Sequence, residues 1–96
     1  MAHCPPELLD DLHGVFDELR DWPGVIEKSR GVFYLRRTPF LHFHLLEGGR
    51  RRGDIKAGTD WVQIDLPHPL SQTRARAFLR ELRQRYENRL TGQADG

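Results

Sequence analysis

Between Val25 and Leu66 the apolar residues recur every second position, and no connection between the runs is long enough to hold a crossover. The runs GVIEK, GVFYLRR, FLHFHLLE, a short DIKA and WVQIDL are separated by Ser29 to Gly31, Thr38-Pro39, GGRRRG and AGTD. Period two marks strands, and glycine, proline, asparagine and aspartate clusters mark the turns between them. A parallel neighbour needs a crossover of about a dozen residues, so connections this short dictate an antiparallel meander.

The period changes to that of a helix on either side. Leu8, Leu9, Leu12, Val15, Phe16 and Leu19 fall on one stripe, Pro5 and Pro6 suit a helix entrance, and DWPG ends the element. At the other end Ala75, Phe78, Leu79, Leu82, Tyr86 and Leu90 form a second stripe, with Ser71 placed to cap its start and Gly92 to close it. TGQADG reads as a frayed tail. Each helix has one apolar stripe and each strand one strongly apolar face. The expected architecture is therefore α+β, a two-layer sandwich with a sheet of four or five antiparallel strands and both helices on one face. The chain reads as a single domain over residues 1–96, with an ordered core from about 6 to 91.

Ninety-six residues bury only about 60–65% of their unfolded surface, which favours a groove, a sheet face or an interface over a deep cavity. The single cysteine, Cys4, sits in what reads as a mobile N-terminal stretch and excludes an internal disulfide framework. A reducing, cytoplasmic setting is expected. No apolar run approaches the ~20 residues of a membrane span, so no membrane partner is expected. Fifteen Lys and Arg against fourteen Asp and Glu leave a net charge of +1, which gives nucleic-acid binding no bulk support.

Alternation sends Val62, Ile64 and Leu66 to the helix side, and Trp61, Gln63 and Asp65 to the other. In FLHFHLL, Leu41, Phe43 and Leu45 alternate against Phe40, His42, His44 and Leu46. The outer face should then gather His42, His44, Trp61, Gln63 and Asp65 as a ligand-binding set. Imidazoles at i and i+2 of a strand point the same way and can converge on a small cation or anion. His42 and His44 are thus weak metal candidates, although zinc asks for at least three protein ligands and no recognised spacing supplies the third. The bland alternative is a pair of half-exposed strand histidines bonded to their neighbours. Arg50, Arg51 and Arg52 read as a solvated hairpin tip, and the arginines of the last helix as a solvated face. No nucleophile stands out, and no cofactor or catalytic residue is assigned.

Asp21 to Val25, the His42/His44 pair, Trp61-Val62 and the closing Leu79, Leu82 and Tyr86 together resemble the small bacterial "luciferase domain" family. That family places glycines beside its histidine pair, where this chain has Leu41 and Leu45. The layout is also similar to the frataxin-like arrangement of YjbR-type proteins. The resemblance implies a small α+β domain and carries over no catalytic residue.

The function expected from these residues is a ligand- or protein-binding module working through the sheet face around His42 and His44, with dimerisation over the same face open to it. Two alternatives stand beside it. One is a metal-assisted enzyme pairing the histidines with a carboxylate such as Asp54 or Asp65. The other is a nucleic-acid binder using Arg50 to Arg52 and the final helix.

Overall fold

A computed structural model describes residues 2–92, with side chains from Cys4 onward; residues 93–96 of the expected tail lie outside the described residues. Six strands, β1 (Ala2–His3), β2 (Val25–Ser29), β3 (Val32–Leu35), β4 (Thr38–Leu45), β5 (Arg51–Ala57) and β6 (Asp60–Asp65), accompany two α-helices, α1 (His13–Arg20) and α2 (Gln72–Thr91). The sheet is antiparallel, with spatial order β2-β3-β4-β5-β6. The two-residue β1 pairs with the end of β4, setting His3 opposite His44 in the backbone ladder.

Phe43 of β4 shows where the helices sit. Its ring packs 5.6 Å from Phe16 of α1 and 6.2 Å from Phe78 of α2, so both helices cover the same side of the sheet. Leu41 of the same strand and Phe33, Leu35 and Ile55 of the neighbouring strands join them, all at most 1% exposed. Gly53 also faces this side. A Cβ there would lie 3.1 Å from Leu66 and 3.2 Å from Phe78, so the bare backbone makes the room that α2 occupies.

The ends of α2 follow the sequence. Ser71 Oγ accepts the Arg74 amide at 3.2 Å, and Gly92 closes the helix with φ of 72°. At its far end Tyr86 donates its hydroxyl to the Pro23 carbonyl at 2.7 Å and packs 5.1 Å from Trp22, which is buried in the core. The helix thereby pins the DWPG turn. No helix of the described residues is long and apolar enough to cross a membrane.

The structure corrects the sequence reading at five places. The first helix is two elements, a 3-10 helix over Pro6–Leu12 and then α1. The hairpin between β3 and β4 turns at Arg36-Arg37, with Arg36 at φ 60°, and Thr38-Pro39 belongs to β4. Proline is tolerated there because β5 reaches along β4 only as far as Leu41, leaving Pro39 with a strand partner on one side. A bulge in the β3–β4 ladder breaks the alternation, so Phe40 and Leu41 both enter the core and Phe40 does not share the histidine face. Cys4 is not in a mobile stretch: it is 7% exposed, and its amide donates to the Phe43 carbonyl at 3.3 Å. Finally, β5 begins at Arg51, so the second half of the expected GGRRRG tip is strand.

The fifth correction exposes the main internal strut. Arg51 is 1% exposed and lies on the helix side of the sheet. Its Nε donates to the Leu66 carbonyl at 3.1 Å, Nη1 to the Leu8 carbonyl and Asp11 Oδ1 at 2.6 Å each, and Nη2 to the Pro67 carbonyl at 2.7 Å and Asp11 Oδ2 at 2.9 Å. A guanidinium has five N–H donors, and all five are used. Asp11 also accepts the Leu70 amide at 2.7 Å. One ion pair therefore ties together the 3-10 helix, β5, the end of β6 and the approach to α2.

Candidate functional site

The face away from the helices is built on a small lattice of strand pairs. In the β4–β5 ladder His42 stands opposite Asp54 and His44 opposite Arg52, so four side chains occupy the corners of a rectangle on one surface. Its diagonal is a contact, with His44 Nε2 lying 3.3 Å from Asp54 Oδ2. Along β5, Arg52 grips the same carboxylate with Nε to Oδ1 at 2.7 Å and Nη2 to Oδ2 at 3.1 Å. Asp54 is 5% exposed although no helix lies over it. Its own neighbours cover it.

The imidazoles lean together: their ring centroids are 4.7 Å apart at 84°, closer than the ~6.6–6.8 Å that separates i and i+2 along a strand. His42 also meets Trp61 of β6 edge to face at 4.5 Å, reaching across β5. Lys56 Nζ rides over the indole at 5.0 Å. His44 keeps 15% of its side chain exposed, so the pair is half-buried rather than fully open.

Of the residues expected on this face, His42, His44 and Trp61 come into contact. Gln63 and Asp65 are on the same side, opposite Asp54 and Arg52 in the β5–β6 ladder, but one strand further out and exposed. Between the two carboxylates named beside the histidines, the geometry selects Asp54. One nitrogen from each histidine and one Asp54 oxygen all lie within 4.8 Å of one another.

Arg52 was assigned to a turn from sequence, and its place in the cluster was missed. The available signal was R-x-D: residues 52 and 54 of one strand share a face and bring opposite charges together. Arg51 and Arg52 are both drawn into internal ion pairs, leaving only Arg50 of the three exposed. On α2, Arg83 pairs with Glu87 at 2.8 Å and Arg85 with Glu81 at 2.7 Å.

Beside the cluster lies a groove of about 340 Å³, walled by Val32, Tyr34, Pro39, His42, His44 and Trp61. Its walls are mostly apolar or aromatic, and the lining residues able to hydrogen-bond through their side chains are His42, His44, Tyr34 and Trp61. No family model matches this chain, and no curated protein and no solved structure matches it.

Proposed function

We propose that the protein is a small-ligand binding module whose site is the groove on the outer sheet face, and that it takes a flat, largely apolar molecule with one hydrogen-bonding end. The observation that carries this reading is a concave surface where Tyr34, Pro39 and Trp61 converge on two imidazoles. Its volume sits at the lower end of the range for small-molecule sites, about 300–1,000 Å³. The aromatic walls supply contact area, and the histidines, one held by Asp54, supply direction. The likeness to the luciferase-domain family belongs to the same proposal. Among the positions that carry it, Pro23 and Tyr86 share a hydrogen bond beside Trp22, and His42, His44 and Trp61 line the groove.

The two tryptophans make the test internal. A fragment library is screened by proton–nitrogen correlation spectroscopy on chelator-treated protein. Binding in the groove moves the Trp61 indole signal and leaves that of Trp22, buried in the core, in place. Trp61→Ala should abolish those shifts. Fragments that bind without disturbing Trp61, or bind Trp61→Ala equally well, refute the groove as the site. A second copy of the chain laid over this face would show itself as concentration-dependent shifts without any fragment.

A further inference from the structure

We infer that His42, His44 and Asp54 form a binding site for a divalent first-row transition ion of the zinc type. Two imidazoles and one carboxylate are the donor set of many three-residue zinc sites that leave a fourth position open. Here they come from two adjacent strands of one sheet, so backbone pairing already holds the three residues together. One edge is nearly the right length. Zinc bonds of ~2.0–2.1 Å in a tetrahedron place neighbouring ligand atoms about 3.3 Å apart, and His44 Nε2 and Asp54 Oδ2 are separated by 3.3 Å. The longest separation in the trio, up to 4.8 Å, closes by rotation of a half-exposed imidazole.

The chemistry of that edge is also suitable. His44 Nε2 coordinates when the imidazole carries its proton on Nδ1. Arg52 is the natural objection, because it already holds both carboxylate oxygens. A carboxylate has about four lone-pair sites, and the guanidinium uses two. Arg52 therefore fixes the ligand's orientation as an outer-shell partner while its charge weakens the ion's hold.

The experiment is a zinc titration by calorimetry on untagged, chelator-stripped protein, repeated with cobalt to read the ligand field in the visible spectrum. The wild type should bind one equivalent, with a cobalt spectrum of low coordination number. His42→Ala and His44→Ala should each weaken binding at least about tenfold, while Cys4→Ser, His13→Ala and His68→Ala leave it unchanged. Binding below one equivalent, or binding insensitive to His42 and His44, overturns the inference. Asp54→Asn is not needed, so loss of folding in that variant does not affect the result. The titration uses the ion alone, so it is decided separately from the occupancy of the groove.

Discussion

Replacing Arg51 with methionine should be among the most damaging single changes in this domain. Methionine can fill much of the volume of the arginine stem but returns none of its five hydrogen bonds. Three carbonyls then lose the guanidinium as donor inside the fold, and the Asp11 carboxylate keeps only the Leu70 amide of the hydrogen bonds described above. Removing one partner of a buried ion pair costs about 3–5 kcal/mol, because the other charge is left uncompensated. Asp11 keeps 16% of its side chain exposed, so some water reaches it and the lower end of that range applies. A chain of 96 residues has roughly 5–14 kcal/mol in total. A loss of about 3 kcal/mol lowers Tm by about 12 °C or more in a domain of this size. Urea unfolding followed by far-ultraviolet circular dichroism reads the change as a lower midpoint at constant slope. The double variant Arg51→Met with Asp11→Asn supplies the sharper test. It removes the stranded charge, so it should be more stable than Arg51→Met alone. A loss below about 1 kcal/mol for Arg51→Met, or a double variant less stable than that single one, refutes the account of Arg51 as the strut.

Two further outcomes follow from the same corner of the fold. Burial alone would raise the Asp11 carboxyl, but hydrogen bonds from Arg51 and the Leu70 amide, with the charges of Arg51 and His68, outweigh it and hold the group below its ordinary value. A depressed carboxyl stabilises above its unfolded pKa of about 3.9, and the contribution disappears as pH falls through the folded value. Asp11→Asn should therefore flatten the acid limb of stability against pH and converge on the wild type at the lowest pH. Parallel curves would rule this out. Cys4 is pushed above the usual thiol range by burial, an effect opposed by Arg51 and reinforced by Asp11 and Glu7. Iodoacetamide at pH 8 should label it at least about a hundredfold more slowly in the folded protein than in urea; equal rates would mean that the N-terminal segment opens freely.

What the sequence made legible, and what it hid, separates by range. α2 was readable because its stripe, its serine cap and its closing glycine all lie within the element itself. The outer position of His42 and His44 was readable because one face of their strand is apolar, and period two then fixes both sides. Phe40 broke that rule through a bulge, which depends on how β3 pairs with β4 and leaves no local mark. Arg51 was illegible for a stronger reason. Its partner Asp11 is 40 residues away, and a triple arginine after two glycines has the composition of an exposed turn. Only the fold shows that one of those charges is needed inside. Once β5 was shortened to its last four residues, Arg52 could not be assigned to the histidine face, and Asp54 remained one of two equivalent carboxylates.

The hidden residues also explain why the visible ones are well placed. Arg51, Arg52 and Gly53 are consecutive at the start of β5, and pleating sends them inward, outward and inward. The first fills a buried cradle of carbonyls and a carboxylate, the second holds Asp54 beside His44, and the third admits Phe78 of α2. A slip of one residue would exchange these environments. Arg52 could still supply a guanidinium to the cradle, but Gly53 would lose its place beneath α2 and Asp54 would turn toward Phe43 and the core. The bonds of Arg51 therefore do more than stabilise the domain. They select the register that places Asp54 opposite His42 and diagonal to His44. The geometry of the outer site is set from beneath the sheet, by a residue that contributes nothing to the outer surface.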